Sequence, residues 1–174
     1  MAGIAEAMLA ALSEQPVEAV QRLFPAFGKG YATPMAEVRA AVFRDERVLL
    51  VRERSDQRWT LPGGFADVGL SVAENEVKET REEAGLDIVP RKLFAVRHKA
   101  KHPYLADVRD FYKLFFLCEE TSDGQEPVAG YETVGAEFFA FDALPPLSLG
   151  RVLEADLKLA LAHRLDPALA PAID

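Results

Sequence analysis

The apolar positions change period several times along the chain, and each change marks an element. Ile4, Met8, Leu9 and Leu12 recur at helical spacing, and Pro16 opens a second helical run through Val17, Val20, Leu23 and Phe24. Pro25, Gly28 and Gly30 break that run, and Thr33-Pro34 reads as a linker. From Met35 the period falls to two: Val38, Ala40 and Val42 alternate with Arg39 and Ala41, Asp45-Glu46 turns the chain, and Val48 to Val51 returns as the second arm of a hairpin. A polar loop, Arg52 to Arg58, leads to Trp59, which reads as core or as a wall of a site.

The next helix has unusually clear ends. Ser71 followed by Glu74 is a capping-box pattern, and Gly85 supplies the stop. Ala73, Val77, Thr80 and Ala84 form a small, apolar stripe suited to close packing on a sheet. Strand-like segments follow at Leu86 to Val96, Tyr112 to Cys118 and Ala136 to Phe141, with a long acidic loop, Glu119 to Thr133, before the last. After the stiff turn Leu144-Pro145-Pro146-Leu147, a closing helix from Leu149 to about Leu165 shows Val152, Leu153, Leu157, Ala160 and Leu161 on one face. The alternation of strands and helices is that of an α/β domain over 35–174, preceded by a short helical extension over 1–34.

Candidate chemistry sits on the capped helix. Glu79, Glu82 and Glu83 stand at i, i+3 and i+4, with Glu76 one turn earlier. Carboxylates this close repel unless water screens them or a cation is shared among them. Most runs of glutamate are solvated helix faces. Here the helix follows the Gly-rich turn Pro62-Gly63-Gly64, which brings backbone groups to the same place. Hard divalent cations take such oxygen ligands, and magnesium is commonly held by a few carboxylates together with substrate phosphates.

The stretch Leu61 to Leu86, LPGGFADVGLSVAENEVKETREEAGL, resembles the signature of the Nudix hydrolases, G-x5-E-x7-R-E-U-x-E-E-x-G-U, with U aliphatic. Gly64, Glu79, Glu82, Glu83, Gly85 and Leu86 fall on matching positions. Leu70 stands at the first Glu position, Lys78 at the Arg position, and Thr80 at an aliphatic one. The flanking VRAAVFRDERVLLVRERSDQRWTLPGG, FYKLFFLCEE and FFAFDALPPLSLGRV, with ADVGLS inside the signature, are similar to the branch acting on nucleoside diphosphates linked to a further group X, such as CDP-choline and ADP-ribose pyrophosphatases.

The resemblance implies a Nudix-type α/β/α sandwich with a mixed sheet. It implies hydrolysis of the pyrophosphate bond with Mg²⁺ or Mn²⁺, giving a nucleoside monophosphate and phosphorylated X. Glu79, Glu82 and Glu83, with the carbonyl of Gly64, are then the metal ligands, and Glu82 and Glu83 belong to the catalytic set. The replaced Glu and Arg bear on how loop and helix are held together and on one outer ligand, and leave the metal core in place. A late-loop Glu takes the proton from water in several relatives, which makes Glu132 the candidate base, with Glu126 or a helix glutamate as rivals. Arg52 aligns near the metal centre. The most basic stretch, Arg97 to Tyr104, offers His98, Lys101 and His102 for substrate phosphate. The helical extension of the branch serves dimerisation, so a homodimer is an expectation too.

Composition narrows the partners. The net charge of −8 carries no general nucleic-acid footprint, so a small nucleotide, and not a stable nucleic-acid complex, is the expected partner. The one cysteine, Cys118, excludes an internal disulfide framework. No apolar run reaches membrane-spanning length, and the N-terminus lacks a basic, long-cored leader, so the cytoplasm is the expected location. Two other readings stay open: a nucleoside triphosphate pyrophosphatase, and a non-catalytic nucleotide-sensing domain.

Overall fold

A computed structural model describes residues 2–27, 33–121 and 124–174, with the side chains of 2–6 and 23–27 outside the description. Ile4, Leu23 and Phe24 of the predicted helical stripes, and Gly28 and Gly30 of the predicted break, fall outside what is described. The chain divides into two compact units, Met1–Thr33 and Pro34–Asp174.

The first unit is a pair of helices, α1 (Ala2–Leu12) and α2 (Val17–Phe27). Helix α2 runs on past Pro25, which the sequence pattern had as a breaker. Among the described side chains of this pair Ala10 and Val20 are buried, whereas Met8, Leu9 and Leu12 of the predicted stripe are exposed. None of the described helices is long and apolar enough to cross a membrane.

The second unit contains β1 (Met35–Arg44), β2 (Arg47–Glu53), β3 (Trp59–Thr60), α3 (Val72–Ala84), β4 (Ile88–His98), β5 (Phe111–Glu120), β6 (Thr133–Ala140), α4 (Glu154–Leu165) and β7 (Ala172–Ile173). The sheet order is β3-β2-β1-β5-β4-β7, with β6 also on β2. It is mixed: β1 runs parallel to β5 and β4 to β7, and the other pairings are antiparallel. One apolar layer, built on Ala40, Val42, Leu49, Val51, Phe116 and Cys118, packs with Val77 and Ala84 of α3. The other, built on Ala41, Val48, Leu50, Phe94 and Phe115, packs with Leu157 and Ala160 of α4. This is the α/β/α sandwich that the sequence implied.

Three local patterns differ from the sequence reading. Strand β1 is covered on both faces, so Arg39 is buried and not the outward side of an alternation. The buried face of α3 is Asn75, Glu76, Thr80, Glu83 and Ala84, while Ala73 is exposed. Helix α4 starts at Glu154, because Leu149 to Leu153 is spent on a turn that ends where the Leu153 N–H donates to Asp156 Oδ2 (2.8 Å).

Candidate active site

Local chemistry fixes the signature loop before any ligand is considered. Pro62 to Ala66 lies along β1 like an extra strand: Val38 N–H donates to Gly64 O, Ala40 N–H to Pro62 O, and Ala66 N–H to Ala36 O, each at 2.9 Å. Gly63 has φ +136°, and a Cβ there would lie 2.1 Å from the Val38 carbonyl oxygen, so only glycine fits this close approach. The Gly63 N–H is thereby aimed at Glu83 Oε2, 2.8 Å away.

Helix α3 begins at Ser71, whose hydroxyl accepts from Glu74 N–H while Glu74 accepts from Ser71 N–H, and ends at Gly85 with φ 67°. At the positions where the signature carries Glu and Arg, this chain uses other ties. Leu70 is exposed. The fully buried Asn75 accepts from Asp67 N–H (2.8 Å) and donates to Ser71 O (2.9 Å), which joins loop to helix. Lys78 adds ion pairs to Asp67 (3.2 Å), Glu79 (3.1 Å) and Glu82 (3.1 Å). Bonds from Glu79 and then Glu82 hold the Lys78 ammonium above its ordinary pKa. Neither tie is visible from the family pattern. An Asn three to five positions from loop residues on a capped helix is the signal that was available.

The late loop closes the other end of α3. Val128 N–H donates to Ala84 O (2.8 Å), the Thr133 hydroxyl to Glu83 O (2.8 Å), and the Gln125 side-chain amide to Gly85 O (2.7 Å). These supply partners to carbonyls that a helix C-terminus otherwise leaves bare. Gly130 passes so close that a Cβ there would lie 1.6 Å from Glu82 O. The docked loop carries Glu132 into one cavity with Glu79, Glu82 and Glu83.

That cavity, about 870 Å³, is lined by Gly63, Gly64 and the three helix glutamates, and also by Glu37, Arg39, Glu53, Lys99, Asp107, Arg109 and Arg151. Its volume lies within the range typical of ligand sites, ~300–1,000 Å³. Burial pushes the Glu83 carboxyl up to about 8; Arg39 and the Gly63 N–H oppose the rise, and Glu53 and Glu79 add to it. Burial also raises Glu53, against Arg151 and Arg39. Glu76, fully buried behind the cluster, is raised well above the usual carboxylate range, chiefly by burial. A bond from the Arg39 backbone is among the influences opposing that rise, yet neither Glu76 oxygen has a partner within hydrogen-bonding geometry, so burial decides its state.

A buried ion cluster underlies the floor. Arg39 donates through Nε to Glu37 (3.0 Å) and through Nη1 to Leu61 O (2.9 Å), and Lys113, with no exposed side-chain surface, pairs with the same Glu37. Burial, then Arg39, presses Lys113 down to about 8 while Glu37 holds it up. Next to it the Tyr104 hydroxyl donates to Asp156 (2.7 Å), which also pairs with Arg97 (2.8 Å).

The structure therefore brings Gly64, Glu79, Glu82, Glu83 and Glu132 together. Four other predicted residues lie elsewhere. Arg52 donates to Gln57 O (3.0 Å), His98 pairs with Asp110, His102 pairs with Asp174 (2.8 Å), and Lys101 is exposed; none of the four lines the cavity. Their partners explain it: Asp110 and Asp174 hold the two histidines away from the cavity, and Lys99 alone among the cations of the basic stretch reaches it, at 3.3 Å from Asp107. Glu126 is also out of play, 3.7 Å from Arg44. Arg39, Glu53, Arg109 and Arg151 were missed. Two arginines and a glutamate in ordinary strand and turn contexts carry no local signal. Arg39 carried one, as the single cation between apolar strand residues.

The carboxylate donors suit a hard divalent cation. Glu79 Oε2 reaches to 2.7 Å from where a Cβ on Gly64 would stand, so the bare glycine leaves the space in which side-chain and backbone oxygens meet. The Gly64 carbonyl uses one lone pair on Val38 N–H and keeps another. As they stand, no three His, Cys, Asp or Glu side chains among the described residues are grouped to hold a metal ion; the Lys78 ammonium lies among the carboxylates.

The fold and this site define the class. The NUDIX domain pattern matches residues 33–158, and the chain belongs to the Nudix family. It is 47% identical over 152 residues to "Putative ADP-ribose pyrophosphatase YjhB" of Bacillus subtilis (strain 168), covering 87% of this chain and 72% of that one. The crystal structure of an ADP-ribose pyrophosphatase from Streptococcus suis 89-1591 superposes with a TM-score of 0.73 at 39% identity, over 82% of this chain and 100% of that one. The crystal structure of UDP-X diphosphatase gives 0.77 at 31% identity, over 90% and 74%. The protein is a Nudix hydrolase acting on pyrophosphate bonds.

Proposed function

We propose that the protein hydrolyses the pyrophosphate bond of a nucleoside diphosphate linked to X, with ADP-ribose as the leading substrate, and releases a nucleoside monophosphate and phosphorylated X. The observation that carries this is that Glu79, Glu82, Glu83 and Glu132 line one cavity whose other walls come from both sides of β1. Lys99, Asp107, Arg109 and Phe111 line it from the β5 side, and Glu53, Tyr131 and Arg151 from beyond β2. The latter three also line an adjoining hollow with Arg54 and Ser55. A cavity of this volume, with cations spread along its walls, suits a diphosphate that carries a substituent on each end. The relatives named for ADP-ribose and UDP-X point the same way.

In this reading Glu79, Glu82, Glu83 and the Gly64 carbonyl hold Mg²⁺ or Mn²⁺. Such an ion, when bound, neutralises diphosphate charge and lowers the pKa of water. The remaining chemistry belongs to the chain. Arg39 favours the ionised form of Glu83 and fixes the loop through Leu61 O, and the Gly63 N–H orients the same carboxylate. Glu132 accepts the proton of the attacking water, held within reach by the loop that caps α3. Arg151, paired with Glu53 (3.1 Å), and Lys99 and Arg109 supply positive charge to an anionic substrate in an acidic protein. The test is a hydrolysis panel with Mg²⁺ or Mn²⁺ over ADP-ribose, CDP-choline, nucleotide sugars and nucleoside triphosphates. Turnover of a diphosphate-linked substrate at least tenfold above any triphosphate is expected; triphosphates favoured instead reject the substrate class, and silence across the panel favours the nucleotide sensor.

A further inference from the structure

The β5 side of the cavity contains a restrained cation. The Asp107 carboxylate receives Arg109 Nε at 2.9 Å and Nη2 at 2.7 Å, and the Arg109 backbone N–H at 3.0 Å. The guanidinium lies over the Phe65 ring, 4.7 Å from its centroid. Phe65 is braced edge-on by the buried Phe111, with centroids 5.0 Å apart and an interplanar angle of 77°. Lys99, itself nearly buried, supports Asp107 from 3.3 Å and lies 4.9 Å from the Phe111 centroid. The bidentate carboxylate and the aromatic ring beside Cζ together restrain the guanidinium. The Arg109 side chain remains half-exposed and lines the cavity.

We propose that Arg109 is the platform on which the nucleobase of the substrate stacks, and that it sets the preference for the nucleoside half; this rests on the diphosphate-linked reading above. An arginine plane backed by an aromatic ring stacks on flat heteroaromatic rings, because it is planar, delocalised and weakly hydrated. Tyr131 also lines the cavity, but it is 92% exposed and has no ring neighbour among the described residues, so ordering it would cost conformational entropy. Arg109 is already ordered, and preorganisation favours it as the base site. Stacking of this kind reads ring area more than edge pattern, so a purine monophosphate binds more tightly than a pyrimidine one with the same sugar and phosphate.

The experiment is calorimetric titration of the full chain, with Mg²⁺ present, by AMP and by ribose 5-phosphate, which lacks the base. Arg109→Lys keeps the charge and removes the plane. The expected result is about tenfold weaker AMP binding with under about twofold change for ribose 5-phosphate. Equal losses for both ligands would mean that Arg109 serves phosphate, and no loss for either would mean that it touches neither; both overturn the platform. So does a base-selective loss in Tyr131→Ala that Arg109→Lys fails to show. If the wild-type protein binds neither ligand and leaves ADP-ribose and CDP-choline intact, the substrate reading itself has failed; binding or turnover with no base-selective loss in Arg109→Lys defeats the platform alone.

Discussion

Gly130→Ala tests how the loop that carries Glu132 is held. The added Cβ would lie 1.6 Å from the Glu82 carbonyl oxygen, where anything under 3.0 Å forces movement, so loop and helix must separate by about 1.4 Å. The atom it meets is backbone, in the last turn of α3, and cannot swing aside as a side chain can. The separation stretches the bonds from Gly130 N–H to Glu83 O (3.3 Å) and from the Thr133 hydroxyl to the same oxygen (2.8 Å). Losing two such bonds costs ~2 kcal/mol. For a chain of this size that is a fall in Tm of roughly 4–8 °C. The effect on rate should be larger, because Glu132 lies two residues on and a misplacement of about 1 Å can cost ~100-fold. Differential scanning fluorimetry and steady-state turnover of ADP-ribose measure the two separately. Wild-type Tm and rate would refute the docking of the loop, and a lowered Tm with an unchanged rate would remove Glu132 from the chemistry.

Other substitutions probe the remaining parts. Glu82→Gln and Glu83→Gln should each lower kcat by ~100-fold or more while circular dichroism stays native, and unchanged rates in both would remove the metal assignment. Glu83 also gives a pH signature in metal-free protein. Its folded pKa of about 8 lies above the ordinary 4.5, so the folded state holds the proton more tightly, and stability falls as pH rises from about 4.5 to about 8. In Glu83→Gln, urea midpoints in EDTA should lose that part of the slope. Glu76→Met replaces an unpartnered buried carboxyl by a side chain of similar length, and should raise stability by ~1–3 kcal/mol in urea unfolding. Leu70→Glu should change kcat under about threefold, since Leu70 is exposed and Asn75 already ties the loop; a large gain would show that the native site is impaired.

The legible parts of this protein were those written in local chemistry. The capping box at Ser71, the stop at Gly85 and the i, i+3, i+4 glutamates all act within one helix, and all are where the pattern put them. The hairpin about Asp45-Glu46 has the same character. What stayed hidden depends on contacts across the fold. Arg39 and Lys113 share Glu37 because β1 and β5 run parallel in register, a pairing joined across 76 residues. Arg109 reaches the cavity because the segment before β5 folds back on Phe65, and no periodicity announces that. The basic run at Arg97 to Tyr104 misled because charge density was read without direction. Arg97 turns inward to Asp156, Lys99 enters the cavity, and His98 and His102 face carboxylates outside it. Ala73 failed as a packing residue for the opposite reason: a small side chain is consistent with either face, and Glu76 took the buried one.

The most direct test of the account is to incubate ADP-ribose with purified protein and Mg²⁺, alongside Glu83→Gln, and to separate the products by anion exchange. The account predicts AMP and ribose 5-phosphate in equal amounts from the wild type, and neither above background from the variant. Intact ADP-ribose with the wild type, under conditions where a nucleoside triphosphate is cleaved, or equal turnover by the variant, would contradict it.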